Sequence, residues 1–239
     1  MELLPQISSP FTGREKELSV LLELHRLRKN VLIVGSPGVG KSALVRQVKV
    51  RLPLLLIQRP KRLKDLYSSL GSQIQLEQTQ LIVSELRNNL LSTIEATGEP
   101  VVFDSVADAP KAVAKFIVDV SRTVPVWIVC RSDLPHEIGR ISEKLADYVR
   151  LSLSPLKLTE VRSHIAQAVQ SSRLRKDALA HVSTVYSLCR GNPQILIGLL
   201  SELSKPEHKN KESFQSHLQR LKRFANRINS ELSDSSDSK

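Results

Sequence analysis

The residues Gly35-Ser36-Pro37-Gly38-Val39-Gly40-Lys41-Ser42 match the pattern G-x-x-x-x-G-K-[ST] in full. The chemistry this spacing serves is capture of a polyphosphate. A loop that wraps backbone N–H groups around phosphate oxygens needs positions without a Cβ, and Gly35, Gly38 and Gly40 supply them. Lys41 brings an ammonium to the β- and γ-phosphates, and Ser42 offers a hydroxyl to Mg²⁺. A helix starting here, with Ala43 in its first turn, aims its positive N-terminus at the same anion. A chance glycine turn would also match the pattern. The apolar run before it and the helical pattern after it are the context that separates the two readings.

A second group lies downstream. Val101-Val102-Phe103-Asp104 is an apolar run ending on a carboxylate, suited to holding the water shell of Mg²⁺ across from Ser42. The plainer alternative is a turn residue closing a strand. Lys41 and Asp104 are therefore the candidate catalytic residues, and Ser42 and Asp104 the candidate metal ligands. The next residue is Ser105. A hydroxyl with an ordinary pKa is a poor base near pH 7, so hydrolysis is expected to be slow at best. Asp108, in the following loop, is the nearest other acid.

These residues need elements to position them. Val31–Val34, Leu54–Ile57, Val101–Phe103, Val126–Val129 and Tyr148–Leu153 read as strands, and most are continuous apolar runs. Between them, Lys41–Lys49, Arg62–Leu70, Thr79–Ala96, Pro110–Arg122 and Pro135–Ala146 read as helices. Alternation of this kind predicts an α/β fold with a central five-stranded parallel sheet flanked by helices. After Ser154-Pro155 only helices are expected: one capped by Thr159 and reaching Gln170, one over Lys176–Cys189 ended by Gly191, and one from Pro193 to Leu203. The expected domains are residues 1–153 (α/β), 154–204 (all-helical) and 205–239, a basic amphipathic helix over 211–232 followed by a disordered Ser/Asp-rich tail.

The bulk numbers narrow the classes. Lys and Arg number 35 against 24 Asp and Glu, a net charge of +11 at pH 7. That excess favours a polyanionic partner such as nucleic acid, with solubility alone as the bland alternative. Aromatics are only 4% of the chain, so the core is built from aliphatics. No segment is apolar enough to span a bilayer, and the N-terminus carries no secretory pattern. Cys130 and Cys189 are the only cysteines, neither with metal-ligand spacing, and both are expected to be reduced core residues of a cytoplasmic protein.

Taken together, the chain resembles the AAA+/STAND class of P-loop ATPases, especially the origin-recognition and archaeal-type group, over roughly residues 10–204. Pro10-Phe11-Thr12-Gly13-Arg14-Glu15-Lys16-Glu17-Leu18 is similar to the F-x-G-R-E-x-E-L box that opens such proteins near the adenine. It also reads as a capped amphipathic helix, with Thr12 and Glu15 as a capping box. Ser154-Pro155-Leu156 through Val161 resembles the start of the lid, and Cys189-Arg190-Gly191-Asn192-Pro193 resembles its G-N-P turn. The resemblance implies ATP and Mg²⁺ as cofactors, a helical lid, and Arg131 at the sensor-1 position as a third candidate catalytic residue. A surface ion pair is the alternative role for Arg131. Gln194 stands where the sensor-2 arginine is usual, with Arg190 as a substitute, and Arg140 and Arg150 lie in the region of an arginine finger.

Two functions are expected from this reading. One is a nucleotide-dependent switch acting with nucleic acid in transposition, replication or plasmid maintenance. Its contacts would be Arg59, Lys61, Arg62 and Lys64 together with Arg220, Lys222, Arg223 and Arg227. The other is a STAND-like signalling or scaffold module, in which ATP-dependent lid closure controls a partner-binding or self-associating helix at 211–232. The stripe Phe214, Leu218, Leu221, Ala225, Ile228 and Leu232 carries that idea, or else packs on the chain's own lid. A small-molecule kinase is permitted by the loop and disfavoured by the helical domain.

Overall fold

The computed structural model describes residues 13–76, 83–204, 221–223 and 226. The described residues fall into two compact units. One comprises residues 16–36 and 41–153; the other comprises those among 1–15, 37–40 and 154–239.

The first unit is built on a parallel sheet. In chain order its elements are α1 (Glu15–Arg26), β1 (Val31–Val34), α2 (Lys41–Lys49), β2 (Leu55–Gln58), α3 (Leu63–Gln73), α4 (Val83–Thr97), β3 (Val101–Asp104), α5 (Lys111–Ser121), β4 (Val126–Cys130), α6 (Pro135–Ile138) and β5 (Val149–Ser152). The spatial order of the strands is β2-β3-β4-β1-β5. Every pairing is parallel, with Val34 opposite Cys130 and Gln58 opposite Asp104. β1, β3 and β4 are buried at every residue, as strands covered on both faces must be. One face packs Leu55, Ile57, Phe103 and Ile128 against Leu66 and Leu70 of α3, Leu90 and Ile94 of α4 and Phe116 and Ile117 of α5. Trp127, one residue along β4 from Ile128, faces the other way. His25 of α1 meets its ring edge-on at 6.3 Å, and its Nε1 donates to the Lys29 carbonyl.

The second unit is helical: α7 (Leu158–Gln170), α8 (Val182–Cys189) and α9 (Pro193–Leu203). Its core gathers Leu156, Val161, Ile165, Val185, Cys189, Leu196 and Leu199. Gly191, at φ +74, passes so close to the Leu156 carbonyl that a Cβ would come within 2.1 Å of that oxygen. The Leu156 amide donates to the Gly191 carbonyl at 2.7 Å, fixing the two segments backbone to backbone.

Several expected boundaries differ. Pro135–Ala146 is one helical turn, a break at Gly139 (φ +69, ψ −152), and a 3-10 segment over Arg140–Lys144. The expected helix over Lys176–Cys189 is a 3-10 segment, Lys176–His181, followed by α8. Thr159 lies inside α7, not at its cap. Lys157 occupies that place, and its amide donates to Glu160 Oε2 at 2.6 Å. Thr79–Ile82, most of the 211–232 stripe and the tail lie outside the described residues. Leu221 from that stripe is buried in the helical unit's own core. Both cysteines are buried and free, and burial pushes the Cys130 thiol up to about 12. Among the described residues no helix is long and apolar enough to cross a membrane.

Candidate functional site

The sheet unit brings three strand ends together. β1 runs into Gly35, β3 ends on Asp104 and β4 runs into Arg131. β4 lies between β1 and β3, so Arg131 follows the strand that separates the loop from the acid. The Gly35 amide donates to the Arg131 carbonyl at 3.2 Å, tying the loop's start to the end of β4.

Lys41, the first residue of α2, folds its ammonium back to donate to the Gly35 and Ser36 carbonyls. An ammonium has three donors, so one remains for an anion. Burial holds Lys41 below the ordinary lysine value. The Asp104 carboxylate pulls it back up, and the Arg131 guanidinium adds to the lowering. Two cationic groups thus face one region, which favours a bound polyanion. Ser42 donates its hydroxyl to Asp104 Oδ1 at 3.0 Å, and Ser105 donates to the same oxygen at 3.3 Å. Asp104 is 4% exposed. A buried carboxylate beside a hydroxyl is an all-oxygen donor pair that fits Mg²⁺, a cation that keeps several of its waters. Ser105 is held at φ +62 and Asp108 at φ +38, uncommon backbone for residues with a Cβ. The Asp108 amide donates to the Glu137 carbonyl at 2.8 Å, and its carboxylate lies beside Gly139.

The helical unit contains the loop tip, Pro37–Gly40. Asn192 Nδ2 donates to the Pro37 carbonyl at 3.0 Å, the Gln194 amide to the Gly38 carbonyl at 3.3 Å, and Arg14 to the Val39 carbonyl at 3.1 Å. Arg14 also donates to the Ser154 carbonyl and is only 5% exposed. A charge buried to that degree is tolerated because carbonyl oxygens receive its donors. Asn192 also caps α9, its Oδ1 accepting from the amides of Gln194 and Ile195.

Among the candidate residues, Gly35, Ser36, Lys41, Ser42, Ala43, Asp104 and Arg131 belong to the sheet unit, and Pro37, Gly38, Val39 and Gly40 to the helical unit. Arg150 is held by Asp133 of its own chain at 2.8 Å, while Arg140 is exposed. Arg190 is exposed at the end of α8 with φ +48. Arg59, Lys61, Arg62 and Lys64 are exposed just after β2, beside the acid-bearing strand, and Lys222 and Arg223 are exposed in the helical unit. Arg220 and Arg227 lie outside the described residues. The grip of Arg14 and Asn192 on the loop carbonyls was not foreseen. The G-N-P turn and the F-x-G-R-E-x-E-L box were the signals that pointed near it.

No family model and no curated protein matches the chain. Solved structures do, and the chain shares their fold, that of the AAA+ P-loop ATPases. The Walker-type ATPase of Pyrococcus abyssi superposes with a TM-score of 0.66 at 18% identity, over 94% of this chain and 75% of that one. The Orc1 protein of Aeropyrum pernix, solved in complex with DNA, gives 0.65 at 16% identity, over 91% and 67%. A STAND protein of Pyrococcus horikoshii with a tetratricopeptide repeat sensor gives 0.57 at 19% identity, over 88% of this chain and 32% of that chain. The present chain thus spans about a third of the STAND protein's length.

Proposed function

We propose that the protein is an AAA+-type ATP-binding switch that holds MgATP on the loop Gly35–Ser42 and acts with nucleic acid. The observation that carries the first part is the constellation Lys41, Ser42, Asp104 and Arg131 at neighbouring strand ends, with the Ser42 hydroxyl 3.0 Å from Asp104. Lys41 and Arg131 take the phosphate charge, and Ser42 with Asp104 holds the hydrated Mg²⁺. Bound Mg²⁺ supplies charge neutralisation between phosphate oxygens. The loop amides at Gly38, Val39 and Gly40 supply hydrogen bonds, as does the amide of Ala43 in the first turn of α2.

Hydrolysis is slow in this reading. Ser105 spends its hydroxyl on Asp104, and its ordinary acidity makes it a poor base. The polyanion partner is supported by the +11 charge and by the exposed group Arg59, Lys61, Arg62 and Lys64 beside the nucleotide end of the sheet. The Aeropyrum pernix relative was solved with DNA, which makes duplex DNA the first partner to try. Anisotropy of a labelled duplex, read from 50 to 200 mM salt, tests this. The expected result is a steep salt slope that becomes shallower by about one per phosphate contact when the four cations are neutralised. Affinity that ignores both salt and the substitutions removes the nucleic-acid part. Burial of Leu221 in the helical core leaves the self-association reading without a comparable observation.

A further inference from the structure

We infer that Asn192 and Arg14 are positioning residues that aim the loop's amides at phosphate from outside the loop. The inference deepens the nucleotide-binding reading and rests on it. Three successive peptide units at the tip have their carbonyls taken: Pro37 by Asn192 Nδ2, Gly38 by the Gln194 amide and Val39 by Arg14. A trans peptide is planar, with its C=O and N–H pointing in opposite directions. Holding each carbonyl therefore turns the N–H groups of Gly38, Val39 and Gly40 away from their donors. Gly38 at φ +75 and Gly40 at φ +101 flank Val39, an alternation that curves successive amides into an anion-binding concavity.

Asn192 suits this place because one planar amide carries both an acceptor and a donor. Its oxygen caps α9 while its nitrogen holds Pro37, so the start of α9 and the loop tip share one side chain. It packs on the bare Cα of Gly38, where a Cβ would come within 2.6 Å of Oδ1. Arg14 adds a rigid fork, one bond to Val39 and one to Ser154, that anchors the tip to the chain entering the helical domain. The type of side chain at position 194 does not enter this grip, because its main-chain amide makes the bond.

The test separates cap from grip. Asn192→Ser keeps a good N-cap and loses the donor that reaches Pro37. Arg14→Lys keeps the charge and loses the fork. Calorimetry measures MgATP binding, and displacement measures inorganic tripolyphosphate, for wild type and both variants, alongside thermal unfolding without ligand. Each variant is expected to bind both ligands about three- to tenfold more weakly, as loss of one positioning bond allows, with a cooperative ligand-free unfolding transition retained at a modestly lower midpoint. A loss confined to MgATP, affinities within twofold of wild type, or a variant that loses its ligand-free fold each overturns the inference. Wild-type protein that binds neither ligand instead overturns the nucleotide-binding reading beneath it.

Discussion

The two regions that share the loop hold it by different means. In the sheet unit, charged and hydroxyl side chains (Lys41, Ser42 and Asp104) do the work, and two of the three bond to one another. In the helical unit, the loop tip is held by its own carbonyls, through donors on Arg14, Asn192 and the start of α9. In the proposed function the first arrangement supplies charge to phosphate and metal. The second supplies the direction of the amides. Charged and hydroxyl side chains at set spacing thus leave a motif in sequence, while a grip on main-chain carbonyls leaves almost none.

The comparison can be broken from either side. The largest effect is expected at Gly191→Ala. Its Cβ would meet the Leu156 carbonyl within 2.1 Å at a backbone angle that disfavours a side chain. Neither partner is flexible, so urea unfolding should show a loss of about 3 kcal/mol or more. An alanine variant of wild-type stability would mean this unit is looser than the backbone bonds imply. Next is Asp104→Asn, which keeps shape and removes charge. The Mg²⁺-dependent part of ATP affinity should fall roughly tenfold, with binding in EDTA little changed. Equal losses with and without Mg²⁺ would assign Asp104 a structural role.

A subtler effect concerns pH. Lys41 is held below 10.5 by burial, and a bound polyanion restores its charge. ATP affinity should therefore be full below the free protein's lowered value and decline as pH rises through it, earlier than an ordinary lysine predicts. The same lowering means that protonated Lys41 disfavours the ligand-free fold, a cost relieved as pH rises through that value. A flat alkaline profile up to the ordinary lysine range contradicts the role given to the ammonium. The smallest effect is Tyr67→Phe. The Tyr67 hydroxyl is buried without a hydrogen-bond partner among the described residues, in the apolar layer beside Phe116. Its removal should change unfolding by less than about 1 kcal/mol, in either direction; a larger loss would reveal a polar link inside the sheet core.

How far the sequence was legible follows the same division. The strands around the loop announce themselves because each is a short apolar run buried on both faces. The loop announces itself through three glycines and a lysine at set spacing. The strand order, which places β4 between loop and acid, is a long-range property that no local pattern carries. Pro135–Ala146 looked like one helix because its composition suits one. Gly139 instead takes φ +69 and packs against the Ala109 backbone, where a Cβ would come within 3.2 Å of the amide nitrogen. Likewise Arg14 lay within a recognised box, yet its partner is a carbonyl 25 residues away, and that of Asn192 is 155 residues away. Main-chain acceptors carry no residue identity, so such bonds cannot be read from residue types.

The most direct measurement is calorimetric titration of the full chain with ATP plus Mg²⁺, run beside Lys41→Ala. The loop reading predicts saturable one-to-one binding that the substitution weakens by about ten- to hundredfold, the scale of one lost charge-assisted hydrogen-bond set. Binding of equal strength in the two proteins, or none in either, would contradict it.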